Sequence, residues 1–201
     1  MSIPPPEAAL RLRQHIARFI TLTDNDWNLL LPHLRLVQLK KHGLFAQEGR
    51  LGDEVAFVLE GMLRQFYTKD GEERTTYFFF ENHLMSAYMS CLTGQPSRIT
   101  IEALSDCAYL SFPYAVLAEL FEQRMAWQKF GRLLAEYLGL GLEDRMVSLL
   151  LLSPEERYRD LLLGPRKKIL ERVPQHYVAN YLGITPVSLS RIRNRVARGG
   201  E

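Results

Sequence analysis

The residues with the most chemical content lie near the end of the chain, in Gln175-His176-Tyr177-Val178-Ala179-Asn180-Tyr181-Leu182-Gly183-Ile184-Thr185-Pro186-Val187-Ser188-Leu189-Ser190-Arg191-Ile192-Arg193-Asn194. Val178, Leu182, Ile184, Leu189 and Ile192 fall at the spacings that bury one face of each of two successive helices. Ala179 is small enough for a second helix to approach closely, and Gly183 supplies the positive φ of a tight turn. Thr185 is placed to cap the second helix, with Pro186 at its first position, where a missing N–H costs nothing. The side chains left outside are Gln175, Thr185, Val187, Ser188, Ser190, Arg191, Arg193, Asn194 and Arg195. Guanidinium, amide and hydroxyl groups in this array can reach phosphates and base edges in a major groove, which makes them the predicted contacts to double-stranded DNA. The alternative is a helical pair that packs without touching nucleic acid.

The distribution of charge favours the first reading. The 201 residues carry a formal net charge of only +2. Residues 157–201, however, hold ten Lys/Arg and three acids, a local +7, and leave −5 on residues 1–156. An acidic body with a basic tail suits a polyanionic partner.

Several elements must position that tail. Ser153-Pro154-Glu155-Glu156 is a capping box that opens a helix, and Gly164-Pro165 closes it. Upstream, Ala126, Phe130, Leu133, Tyr137, Leu140, Asp144 and Val147 repeat at alternating four- and three-residue steps, the seam of a helix paired with another helix. Phe130, Leu133, Tyr137, Leu140 and Val147 are therefore the predicted homodimer seam. A second row, Leu134, Leu138, Leu142 and Leu149, is left to cover the protein's own body. From about Leu34 to Phe112, short apolar–polar segments alternate with turn signals, of which Asp70-Gly71 is the strongest hairpin signal. Seven or eight such strands imply a small barrel, roll or sandwich. Thr23 caps a short helix that Pro32 ends or kinks, and residues 7–19 form a helix before it. This reading gives a strand-rich part with N-terminal helices at 1–113, a connecting dimerisation helix at 114–150, and a helix-turn-helix at 151–201.

Other chemistries find little support. There is no Gly-rich phosphate loop, no HExxH and no GxSxG elbow, and the five histidines are scattered, so an enzyme is not expected. His83, Cys91 and Cys107 match no metal-ligand spacing, so no metal site is expected. Two cysteines are too few for a disulfide framework or an iron–sulfur cluster within one chain. No secretory signal or membrane-length apolar stretch is visible, and the expectation is a cytoplasmic protein with no membrane partner.

The order of roll, long helix and helix-turn-helix resembles Crp/Fnr-type transcription regulators, from about Asp24 to Arg195. The resemblance is strongest at Val173-Pro174-Gln175…Ala179…Leu182-Gly183-Ile184-Thr185-Pro186…Leu189-Ser190-Arg191-Ile192-Arg193. It recurs at Glu48-Gly49…Phe57-Val58-Leu59-Glu60-Gly61-Met62-Leu63-Arg64 and at Ser97–Leu104. It implies an α+β fold: an N-terminal double-stranded β-helix, jelly-roll-like and similar to cyclic-nucleotide-binding domains, then a dimerisation helix and a C-terminal winged helix-turn-helix. It also implies a dimeric regulator on a palindromic operator, with RNA polymerase as a further partner, and an effector pocket at Leu84, Met85, Ser86, Ala87, Tyr88, Ser97, Arg98, Ile99 and Thr100. Three departures matter. No Gly-Glu pair stands near Leu84–Tyr88 to hold a ribose. The phosphate-gripping pair is reversed, as Ser97-Arg98. The recognition helix has Pro186-Val187 where relatives often carry Arg-Glu. Cyclic AMP and cyclic GMP are thus not the expected effectors, and the effector is unknown. Tyr77, Phe78, Phe79, Phe80 and Tyr88 either surround another ligand or fill the roll. The stretch Gly164–Pro174 is short for a two-stranded wing. A module that senses a ligand or contacts protein, having lost DNA binding, is the competing reading.

Overall fold

Val55-Ala56-Phe57-Val58-Leu59 is apolar at every position, so a strand there has two faces to cover. A computed structural model, which describes residues 4–198, shows how. The strands are β1 (Arg35–Leu39), β2 (Leu44–Ala46), β3 (Glu54–Glu60), β4 (Leu63–Lys69), β5 (Glu72–Phe79), β6 (Leu84–Ser86), β7 (Thr100–Ala103) and β8 (Cys107–Pro113). They form two four-stranded sheets, ordered β1-β8-β3-β6 and β2-β7-β4-β5. This is the jelly-roll type of α+β architecture expected from the resemblance. In the first sheet β3 and β8 run antiparallel, with Val55 opposite Phe112 and Phe57 opposite Leu110.

Successive side chains of a strand point to opposite faces, and the two apolar sets separate accordingly. Val55, Phe57, Leu59, Leu110 and Phe112 pack under α1 (Pro6–Ile16), α2 (Asp24–Leu30), α4 (Tyr114–Gln123) and the first turns of α5 (Met125–Leu151). Leu12, Ile16, Trp27, Leu30, Leu117, Trp127 and Phe130 come from those helices. Ala56, Val58, Cys107 and Tyr109 face the other way and fill the roll with Leu63, Phe79, Met85, Ile99 and Ile101. The Thr23 cap is formed, its hydroxyl accepting from the Asp26 N–H, and a single 3-10 turn follows at Leu31–His33. Asp70 and Gly71 both have positive φ, as the β4–β5 hairpin requires. The sequence reading missed β6 and α3 (Tyr88–Thr93), a one-turn helix that ends on the left-handed Gly94.

The chain divides into two compact units. One comprises residues up to 65 together with 78–138, and the other comprises 66–77 together with residues from 139 on. The second contains the end of α5, then α6 (Pro154–Leu163), α7 (Lys168–Arg172), α8 (Gln175–Leu182) and α9 (Pro186–Arg198). The Asn180 side chain is one link from this unit's helices to residues 66–77. Asn180 on α8 accepts from the Thr75 N–H at 2.6 Å and donates to the Glu73 carbonyl at 2.8 Å. β5 is the outermost strand of its sheet, so the amide of Asn180 pairs edge groups much as another strand would.

Four expectations are corrected. The helix placed at 114–150 is two helices, because Arg124 is extended (φ −135°, ψ 118°) between α4 and α5. The break brings Trp127 fully inside, where its Nε1–H donates to the Asp26 carbonyl at 3.2 Å. Phe130, placed in the dimer seam, is instead buried among the helices of its own unit, and Leu133 is partly buried there. Of the row placed against the body, Leu134 packs on this core, whereas Leu142 is 72% exposed and Leu149 48%. Between α6 and α8, where strands of a wing belong, the described residues hold α7 and no strand.

His15 lies between the rings of Phe19 and Phe57, at 5.9 and 5.3 Å. Burial, reinforced by the charges of Arg18 and His83, lowers its pKa to about 4. The unfolded chain takes up this proton near pH 6.5, before the folded chain does. The neutral-histidine contribution to stability is therefore complete above pH ~6.5 and is lost as pH falls toward 4. Urea unfolding at a series of pH values is expected to show His15→Leu losing less stability than the unaltered chain between pH ~6.5 and ~4.5. Equal losses would contradict this assignment.

Candidate functional site

An α-helix leaves its last four carbonyls without partners inside the helix. In α8 all four are satisfied. Gly183, left-handed at φ 72°, donates its N–H back to Ala179 and Asn180, and the Ile184 N–H also reaches the Ala179 carbonyl. This is a Schellman turn. The Tyr181 carbonyl accepts from Arg145 of α5, whose guanidinium also lies 3.9 Å from the centre of the Tyr181 ring. The Leu182 carbonyl accepts from Arg157 of α6 at 3.0 Å, while the same arginine donates to the Leu152 carbonyl at 2.6 Å. Cations are favoured at this end of a helix. The turn into α9 is thus fixed by its own backbone and by two guanidinium groups, and neither arginine was singled out in the sequence.

The capping expected for α9 is present. The Thr185 Oγ1 accepts from the Ser188 N–H at 3.2 Å and lies 3.0 Å from the Ser188 hydroxyl. Leu189 and Ile192 are buried, with Val196 half-buried beside them. At 100° per residue the opposite direction is taken by Val187, Ser190, Arg191, Asn194 and Arg198. All five are exposed. Arg193 and Arg195 stand on the two flanks of this stripe. Gln175 and Thr185 are exposed, and Ser188 is half-buried.

The basic groups of the tail differ in what they already hold. Glu155 takes Arg159 at 3.1 Å and Arg195 at 2.8 Å, and these hydrogen bonds lower its pKa. Arg166 meets Asp144 at 3.2 Å, and Lys167 meets Glu171 at 3.6 Å. Arg191, Arg193 and Arg198 form no ion pair with another described residue. The capping box of α6 is complete, with Glu156 accepting from the Ser153 N–H at 2.7 Å. Gly164 ends that helix in an extended conformation. A Cβ there would lie 2.5 Å from the Asp160 carbonyl oxygen, so the position needs glycine for room.

The residues assigned to the effector pocket occupy several environments. Met85, Ala87 and Ile99 are packed inside the roll, Leu84 faces the helices, and Tyr88 and Arg98 are exposed. Buried Ser97 donates its hydroxyl to the Ile99 carbonyl at 2.8 Å, and buried Thr100 accepts from the Glu48 N–H at 3.2 Å. Ser86 is half-buried. Of the neighbouring aromatics, Phe79 fills the roll, Phe78 and Phe80 are also buried, and Tyr77 is exposed. The buried Arg64 of β4 is engaged by Glu102 through Nε and Nη2 at 2.9 and 2.7 Å. Burial pushes the Glu102 pKa up, but hydrogen bonds from His42 and Arg64 outweigh it and hold the carboxyl below its usual range. A cavity of about 290 Å³ lies elsewhere in this unit, lined by Arg35, Val37, Phe45, Glu54, Tyr109 and Ser111 among others. Arg35 and the Ser111 hydroxyl both bind Glu54 within it.

No group of three His, Cys, Asp or Glu among the described residues is arranged to hold a metal. The Cys91 thiol donates to the Gly52 carbonyl at 3.2 Å, and burial, with Asp53 nearby, raises its pKa to about 11. Burial also raises that of Cys107. Neither is a ready nucleophile. No helix among the described residues is long and apolar enough to cross a membrane.

Residues 36–124 match the family model of the cyclic nucleotide-binding domain. The fold is similar to that of FixK2 from Bradyrhizobium japonicum, with a TM-score of 0.69 at 19% identity, covering 83% of this chain and 86% of that one. It is also similar to a Crp/Fnr-family transcriptional regulator from Eubacterium rectale, with a TM-score of 0.68 at 18% identity, covering 89% and 85%. At such identities the likeness is one of fold. Patatin-like phospholipase domain-containing protein 7 of Mus musculus is 30% identical over 101 residues, half of this chain but only 8% of that protein.

The α8 end gives a direct test. Arg157→Ala leaves the Leu152 and Leu182 carbonyls without their partner and is expected to destabilise the protein by about 1–3 kcal/mol. Chemical denaturation measures this, and hydrogen exchange at Gly183 and Ile184 should rise with it. A change within about 0.5 kcal/mol would show the two contacts to be inconsequential.

Proposed function

We propose, from the premise that this chain carries a cyclic nucleotide-binding domain on the Crp/Fnr fold, that it is a transcription regulator that binds DNA as a homodimer. The observation that carries the reading is the outward stripe of α9. Arginine, asparagine and serine side chains stand exposed on a helix whose other face is buried, and Arg191, Arg193 and Arg198 have no carboxylate among the described residues to hold them. A helix of this kind enters the major groove, with phosphate contacts setting its register and base contacts its specificity. Two copies read a palindrome whose half-sites lie about one helical turn apart, ~34 Å.

The second half of α5 supports pairing. Tyr137, Leu140 and Val147 are exposed at seam spacing, with Leu140 68% accessible, and Leu150 and Leu151 extend the apolar surface. Isolated chains rarely leave such a run in water, and a second copy of the same helix is the occupant its periodicity suits. The seam thus begins at Tyr137, a turn or two later than the spacing alone implies. The reading assigns no cyclic nucleotide to the roll, because Arg98 faces solvent and Ser97 bonds within its own loop. It assigns no catalysis.

Two measurements test it. Binding to promoter DNA should weaken steeply with salt. Arg191→Ala with Arg193→Ala should cut affinity by at least about tenfold and flatten the logarithmic salt slope by about 0.9 for each lost phosphate contact. Unaltered retention of DNA by that double variant would place the DNA contacts on other residues, and no retention by the unaltered chain would favour a module that has lost DNA binding. Sedimentation should find a dimer that Leu140→Glu with Val147→Glu converts to monomer. A dimer unaffected by both changes would place the interface elsewhere.

A further inference from the structure

The first turn of α9 offers a groove very little with which to hydrogen-bond. Pro186 has no N–H. The hydroxyls of Thr185 and Ser188 are engaged with each other, 3.0 Å apart, and Thr185 also holds the Ser188 N–H. Between them the isopropyl group of Val187 projects, 62% exposed. It lies on the same stripe as Arg191 and Asn194, one and two turns further along. Hydrogen-bonding side chains on that stripe begin only at Ser190.

The leading turn of a recognition helix is the part that contacts base edges. In the major groove each base pair presents donors and acceptors, and the apolar feature is the C5-methyl of thymine. An isopropyl group set against guanine O6 or cytosine N4 would strip water from a polar atom and return no hydrogen bond. Against a thymine methyl it exchanges two wetted apolar surfaces for one dry contact. We infer that Val187 is a specificity residue that selects a pyrimidine bearing a C5-methyl group, a thymine in each half-site of the operator. This inference rests on the DNA-binding reading given above and names what that interface recognises. The readout is of the methyl group itself, so 5-methylcytosine at that position is accepted better than cytosine.

The full chain is first used to select its preferred duplexes from a random library. Each conserved thymine is then replaced by uracil, which removes only the methyl. One thymine per half-site is expected to show a loss of about fourfold, the worth of one buried methyl group. In Val187→Ala that penalty should shrink to within about twofold, while the penalties at all other positions remain. Val187 is exposed, so this variant keeps its fold, and circular dichroism checks it. A uracil penalty equal in both proteins, or no thymine whose methyl matters, overturns the assignment while leaving DNA binding intact. If no sequence is enriched at all, sequence-specific binding itself fails, and this inference fails with it.

Discussion

The end of α8 is the constraint on which the second unit depends. Four carbonyls converge there, and leaving any of them buried without a partner would cost about 1–3 kcal/mol. The chain meets this in two ways that do not substitute for each other. The Schellman turn at Gly183 and Ile184 takes the inner pair, which sets the angle at which α9 leaves α8. Arg145 and Arg157 take the outer pair, which ties that turn to α5 on one side and α6 on the other. Arg145 thus links α5 to the turn that opens α9. Asn180, in the same short helix, adds residues 73–75 of the hairpin to the assembly. This eight-residue helix is thereby joined to α5, α6, the start of α9 and residues 73–75.

The roll answers a different demand. β3 and β8 are apolar on both faces, so the sheet they form cannot lie against water on either side. The roll closes over one face. The N-terminal helices, α4 and the first turns of α5 cover the other, with Trp127 and Phe130 fully enclosed. This explains why α5 changes character along its length. Its opening turns belong to a core, with the Tyr137 ring still edge-on to Phe19, whereas Leu140, Leu142, Leu150 and Leu151 further along are exposed. The exposed stretch carries apolar residues on several sides, so seam spacing alone does not separate the two uses of the helix.

Signals that act over a few residues were legible in the sequence. Asp70-Gly71, the capping box at Ser153–Glu156, the Thr23 and Thr185 caps and the turn at Gly183 all formed as read, because each is decided by a handful of neighbouring backbone groups. The Crp/Fnr fold was legible as well, through the order of elements and the residues around Gly183. What was not legible depends on partners far away in the chain. The break at Arg124 has no Gly or Pro to announce it and follows from the burial of Trp127 against α2. Phe130 keeps perfect seam spacing and is nevertheless core. Arg145, Arg157 and Asn180 looked like ordinary surface residues, since nothing local shows that carbonyls or a strand edge wait for them. The alternation of strand faces likewise sends Leu84 and Met85, both assigned to the effector pocket, to opposite sides.

The same distinction bears on how much of the tail's charge a duplex can use. The excess of +7 over residues 157–201 treats every base alike. Arg157 cannot exchange its partners for phosphates without stripping two backbone carbonyls, so its charge belongs to the fold. Arg159, Arg166, Lys167 and Arg195 are held by carboxylates at the surface, where an ion pair is worth about 0–1 kcal/mol. A phosphate can replace such a partner at little cost, and releasing counterions from the duplex favours the exchange. Arg195 is the informative case, because it flanks the stripe while Glu155 shares it with Arg159. These cations are therefore of three kinds: Arg157, committed to the fold; those behind a carboxylate; and Arg191, Arg193 and Arg198, which form no ion pair with another described residue. On the proposed DNA-binding reading, the last two kinds are the ones a duplex can use, so the total charge overstates what is available to it.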